Sequence, residues 1–147
     1  MALPSSIPDA GSAERPRVLL ADDHPEMLAL IGTVLGSEYY VVGSVVDGLA
    51  LLAEAERLNP DVIVLDVTMP VLDGIGAAHR LRHSRHPARL VFLTVHDRRE
   101  FARAAIDAGG LGYVVKTRLA SDLVPAIRAA LADRRFISPT ISLGENT

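Results

Sequence analysis

Short apolar runs recur along this chain, and each stops at a polar residue. Val18 to Ala21 ends at Asp22-Asp23, Val62 to Leu65 at Asp66, Leu90 to Leu93 at Thr94, and Gly112 to Val115 at Lys116. Tyr40 to Val45 is a β-branched run of the same length class. Runs of four to six residues that lack polar alternation suit strands buried on both faces. The stretches between them carry helical periodicity. After Pro25, which fits a first helical turn with Asp23 or His24 as cap, Met27, Leu30, Ile31 and Val34 repeat at i, i+3, i+4 and i+7 and predict one buried face, closed by Gly36. Helices are likewise expected over about 48–58, 75–83 (weakened by Gly76), 97–108 (stopped by Gly109-Gly110) and 120–132, where Pro125 suggests a first-turn position or a local kink. Strands alternating with helices in this way predict an α/β fold: five βα units around a doubly wound parallel sheet, covered on both faces.

The length of 147 residues allows one domain. Residues 1–16, rich in Pro, Ser, Ala and Gly, read as a flexible N-terminal tail; 17–134 form the domain, and 135–147 a C-terminal tail or the start of a linker. The absence of cysteine excludes disulfides, zinc–thiolate sites and thiol nucleophiles. No apolar run approaches bilayer length, and the N-terminus lacks the basic and apolar regions of a signal peptide, so a cytoplasmic setting without membrane contact is expected. Residues 1–75 hold three basic and twelve acidic groups, and residues 76–147 hold twelve basic and six acidic ones. Fourteen of the fifteen basic residues are arginine; Lys116 is the one lysine.

Ligands of open parallel sheets bind outside the carboxyl ends of the strands. Those ends carry Asp22, Asp23, Asp66, Thr94 and Lys116, drawn from four of the five strands. Core packing requires no such collection. Three crowded carboxylates repel one another, and a divalent cation relieves the repulsion. All-oxygen ligands favour a hard ion, and Mg2+ is the usual one where phosphate is the other ligand. An aspartate can attack phosphorus, provided that metal and hydrogen-bond donors take up the phosphoryl charge. Thr94 and Lys116 are suitable donors, so the set reads as a phosphoryl-transfer site with Asp66 as acceptor.

Rival readings fit less well. A dinucleotide binder needs glycines after the first strand, where two carboxylates stand. A phosphatase of the haloacid-dehalogenase type carries a second Asp two residues after its nucleophile, and this chain has Thr68. His79 and His83 share a helical face and lie near His86, but the surrounding loop is arginine-rich and a solvated face is the simpler reading. Seven arginines against two acids over residues 79–103 give weak support for nucleic acid, with no recognition-helix pattern, so no DNA-binding domain is expected in this chain.

The stretches Val18-Leu19-Leu20-Ala21-Asp22-Asp23-His24-Pro25, Asp66-Val67-Thr68-Met69-Pro70-Val71-Leu72-Asp73-Gly74, Leu93-Thr94-Val95-His96-Asp97 and Gly112-Tyr113-Val114-Val115-Lys116 together resemble a response-regulator receiver domain of two-component signalling. The Asp-Asp-His-Pro, Thr-Val-His-Asp and Phe136-Ile137-Ser138-Pro139 pieces resemble the subfamily that usually carries a LuxR-type helix-turn-helix output domain. The resemblance implies a flavodoxin-like strand order 2-1-3-4-5 and a phosphoryl group taken by Asp66 from a sensor histidine kinase or phosphotransfer protein. It implies Mg2+ held by Asp22, Asp23, Asp66 and the backbone carbonyl of Thr68, with Thr94 and Lys116 contacting the phosphoryl group. Thr94 and Tyr113 would be the switch pair, acting on the face of the fourth helix, fifth strand and fifth helix, with homodimerisation on phosphorylation as one outcome. Thr68 and His96 would tune the phosphate lifetime. Such a chain catalyses only its own phosphorylation and dephosphorylation and is not otherwise an enzyme. The alternative is a receiver-like interaction module that works without phosphate.

Overall fold

The computed structural model describes residues 15–141. Six strands, β1 (Arg17–Ala21), β2 (Tyr40–Val45), β3 (Val62–Leu65), β4 (Arg89–Thr94), β5 (Gly110–Val115) and β6 (Phe136–Ile137), form one sheet in the order β2-β1-β3-β4-β5-β6. Every adjacent pair is parallel. The helices between them are α1 (Pro25–Leu35), α2 (Gly48–Leu58), α3 (Gly74–His83), α4 (Arg99–Asp107) and α5 (Leu119–Leu131). The expected flavodoxin-like doubly wound fold is the one observed.

The two-residue period of the strands divides the core in two. Leu19, Ile63, Leu65, Phe92 and Tyr113 point to one side and pack with Leu51 and Ala55 of α2, Ala77, Ala78 and Leu81 of α3, and Ala102 and Ala105 of α4. Val18, Leu20, Val62, Val64, Val91, Leu93 and Val114 point to the other, against Ile31 and Leu35 of α1 and Leu123, Ala126, Ile127 and Ala130 of α5. Small alanines on α3, α4 and α5 let helices lie close over strands whose bulk comes from Val, Ile and Leu.

The structure corrects four expectations. Of the face expected for α1, Ile31 is buried and Met27 and Val34 are partly buried against the core, but Leu30 is exposed, and Leu35 with partly buried Leu28 completes the face. The apolar residues of α1 are more numerous than one face can hold, and contact with the sheet and α5 selects among them. β5 starts at Gly110, whose missing side chain leaves room for the Phe92 ring. Pro125 is an interior residue of α5, which removes the first-turn position from the two alternatives expected for it and leaves the local kink standing. Finally, the sheet continues past residue 134: Phe136 and Ile137 pair with Gly112 and Tyr113 as a sixth strand, and Ser138 and Ile141 are buried behind it. The expected N-terminal tail lies outside the described residues except for Arg15 and Pro16, whose carbonyl accepts the Tyr40 N–H at 2.9 Å.

Candidate functional site

The carboxyl ends of β1, β3, β4 and β5 bring the expected side chains to one rim. Asp22 and Asp66 are buried and Asp23 is exposed. Lys116 Nζ sits between the two buried carboxylates, 2.7 Å from Asp22 Oδ2 and 2.9 Å from Asp66 Oδ2. Burial works against its charge, but the hydrogen bonds it donates to both aspartates outweigh that and raise its pKa above the ordinary lysine value. The ammonium is therefore fully charged at neutral pH.

Local structure fixes each of these groups. The Asp66 N–H donates to the Ala21 carbonyl at 3.0 Å, tying the end of β3 to that of β1. Gly74 opens α3 directly against Asp66: a Cβ at Gly74 would collide with the Asp66 carbonyl oxygen. Asp73 caps α3 by accepting the Gly76 N–H at 2.7 Å, which holds the loop in place. Thr68 donates its N–H to Asp66 Oδ1 at 3.3 Å.

His24 joins this group, a residue to which the sequence reading gave no role in the site, only a place as a possible helix cap and in the Asp-Asp-His-Pro piece. Its Nδ1 lies 3.0 Å from Asp22 Oδ1 and 3.1 Å from Asp23 Oδ1, and its backbone N–H donates to Asp22 Oδ1 at 2.9 Å. The hydrogen bond to Asp22, then the charge of Asp23, raise the imidazole pKa above its ordinary value. Its position next to Asp22-Asp23 was the available signal. Atoms of Asp22, Asp23, His24 and Asp66 all lie within 4.8 Å of one another. Three carboxylates share one lysine and one histidine here, so negative charge remains in excess. Hard oxygen donors with unmatched negative charge suit a divalent cation such as Mg2+.

Thr94 is buried at the end of β4, and its hydroxyl oxygen accepts the His96 N–H at 3.4 Å. Tyr113 is fully buried; its hydroxyl donates to the His96 carbonyl at 2.9 Å, and burial raises its pKa. The expected pair thus meets through one residue, His96. That residue also reaches Thr68, with Nε2 2.7 Å from Oγ1, and stacks on Phe101 with ring centroids 4.1 Å apart. His79 and His83 stay on the surface of α3, while His86 turns away to the Ala55 carbonyl at 2.9 Å.

Known proteins resemble this chain in sequence and in fold. A family model described as the response regulator receiver domain matches residues 18–128. The transcriptional regulatory protein PdtaR of Mycobacterium tuberculosis is 38% identical over 131 residues, covering 88% of this chain and 63% of its own. The response regulator GacA of Pseudomonas viridiflava is 35% identical over 128 residues, covering 86% and 60%. The chain therefore spans somewhat under two thirds of the length of these curated relatives. Among solved structures, a LuxR-family two-component response regulator from Aurantimonas sp. SI85-9A1 superposes with a TM-score of 0.85 at 34% identity, covering 90% of this chain and 97% of that one. The isolated REC domain of RcsB from Salmonella enterica serovar Typhimurium, solved with the phosphomimetic BeF3-, gives 0.79 at 26% identity, covering 87% and 96%. A sheet of this order, a lysine bridging two buried aspartates and a family match across most of the described residues lead to one conclusion: the chain belongs to the response regulator receiver domain family.

Proposed function

We propose that the chain is a phospho-acceptor receiver in which Asp66 takes a phosphoryl group from a histidine kinase or phosphotransfer protein. The observation that carries this is the bridge from Lys116 to Asp22 and Asp66 at the carboxyl edge of the sheet. A carboxylate oxygen of Asp66 attacks phosphorus; the O–P bond forms as the P–N bond of the donor phosphohistidine breaks, and the electron pair returns to the donor ring. Mg2+, held by Asp22, Asp23, Asp66 and the Thr68 carbonyl, would neutralise phosphoryl oxygens and stabilise the transferring group. Lys116 already faces Asp66 and can turn its ammonium to a phosphoryl oxygen without leaving the site. As a compact point charge on a flexible stem it suits that task better than a planar guanidinium.

Thr94 is the remaining donor. A move of its hydroxyl toward the phosphoryl group gives up the His96 N–H, and the Tyr113 hydroxyl holds that residue's carbonyl. This supports a switch in which Thr94 and Tyr113 act through the β4–α4 loop on the face of α4, β5 and α5, where phosphorylation can drive homodimerisation. The side chains of Thr68 and His96 close one flank of the site and would set how readily water reaches the acyl phosphate. The only chemistry is the chain's own phosphorylation and dephosphorylation, and its expected setting is the cytoplasm, where kinase-bound phosphohistidine is made.

Incubation with a small phosphodonor and Mg2+ should add one phosphoryl group, read by intact mass. EDTA or Asp66→Asn should abolish it. Absence of labelling, or labelling that survives Asp66→Asn, would overturn the reading in favour of a phosphate-independent interaction module.

A further inference from the structure

Val115, the last residue of β5, stands immediately before Lys116 and is buried. On one side it pairs with Thr94 of β4. On the other, the β6 ladder runs out: the Ser138 N–H donates to the Tyr113 carbonyl at 2.9 Å, and then Pro139 and a turn closed by the Ile141 N–H on the Ser138 carbonyl, at 3.0 Å, carry the main chain away. The Ser138 side chain takes the place of the next ladder bond. Its hydroxyl accepts the Val115 N–H at 3.2 Å and donates to Asp122 Oδ2 at 2.8 Å, and the residue is fully buried. A buried N–H left unpaired is costly, so this hydroxyl fixes where β5 ends.

Asp122 gathers the other flank of Lys116. It is buried near the start of α5 and accepts Arg118 Nε at 2.7 Å, Arg118 Nη2 at 3.2 Å and the Ser121 hydroxyl at 3.0 Å. Arg118 closes the short 3-10 turn Lys116–Arg118 that leads into α5. The residue before Lys116 is therefore held through Ser138, and the turn after it through Arg118. Both clamps meet on one carboxylate.

We propose that Ser138 and Asp122 are positioning residues for Lys116, and that the Ser138 hydroxyl, presented at the end of β6, sets where its ammonium stands between Asp22 and Asp66. Neither residue touches the acceptor; they act through the main chain on either side of Lys116. The consequence for phosphoryl transfer rests on the phospho-acceptor reading above, whereas the placement of Lys116 does not.

Lys116 is the only lysine of the chain, so its acylation by an amine-reactive reagent, read on its own peptide by mass spectrometry, reports that placement directly. Ser138→Ala should speed acylation about fivefold, the factor expected from one lost hydrogen bond of ordinary net strength. Ser138→Thr, which keeps the hydroxyl, should restore the slow rate. Ile141→Ala, which loosens the same segment without touching the clamp, should leave it unchanged. Should Ser138→Ala fail to fold by circular dichroism, Asp122→Asn is measured in its place and read the same way. An unchanged rate in the clamp variant, or an equal rise in Ile141→Ala, overturns the proposal. With a small phosphodonor and Mg2+, Ser138→Ala should also label about fivefold more slowly than the parent chain. If the parent chain does not label, the phospho-acceptor reading fails, and Lys116 acylation still decides the positioning role.

Discussion

Val71 lies in the loop after Asp66 with φ +72° and is 75% exposed. A β-branched residue in the left-handed region is strained, and its exposure means that little packing compensates. Asparagine tolerates that backbone better, so Val71→Asn should raise stability by about 0.5–1 kcal/mol, measured by the urea midpoint. Nothing in the sequence exposed this strain, because a residue's φ is set by the loop around it. Lys116 illustrates the opposite case. Its position at a strand end and its being the only lysine marked it from the sequence, and the structure places its ammonium between two buried carboxylates. Removing one partner of a buried charge group leaves the others uncompensated, so Lys116→Met should lower the stability of the metal-free chain by about 3 kcal/mol in urea titrations.

At the scale of the element, α1 shows what periodicity leaves undecided. Met27, Leu28, Leu30, Ile31, Val34 and Leu35 offer overlapping apolar stripes, and the one used centres on Ile31 and Leu35. Ile31→Ala should cost about 2–5 kcal/mol, whereas Leu30→Gln should change stability by less than about 0.5 kcal/mol in the same assay. The α5–β6 corner carries a pH dependence. Burial works to raise the pKa of Asp122, but hydrogen bonds from Arg118, Ser138 and Ser121 outweigh it and hold the group below the ordinary aspartate value of 3.8. A depressed folded pKa contributes stability that is present above the unfolded value and lost as pH falls through the folded one. The stability difference between the parent chain and Asp122→Asn should therefore be level at neutral pH and shrink only below about pH 4, as followed by thermal unfolding. The link between Asp122 and Ser138 escaped the sequence reading for a physical reason. One is an ordinary first-turn helix acid and the other stood in an expected tail; only the return of the chain to β5 brings them together.

For the whole molecule, the site joins residues up to 94 positions apart, and excess negative charge collects where the strands end. An ion that binds the folded chain and not the unfolded one stabilises it by mass action, by about 2.7 kcal/mol at roughly a hundred times Kd. Calorimetry should accordingly show a melting temperature that rises with Mg2+ and saturates. Asp23→Asn, an exposed change that leaves the core intact, should flatten that rise. A melting temperature indifferent to Mg2+ would remove the metal from the site.

The alternation of apolar runs with helical periods determined the fold class by itself, because strands buried on both faces must be covered on both. The polar residues that end those runs determined the site's members, since a parallel sheet brings its strand ends to one edge. Only the tertiary structure decided which stripe of α1 is buried, that His24 shares the aspartate cluster, and that the sheet has a sixth strand whose serine clamps the residue before Lys116. Those features depend on which surfaces meet across the fold, and a local sequence pattern carries no record of such meetings.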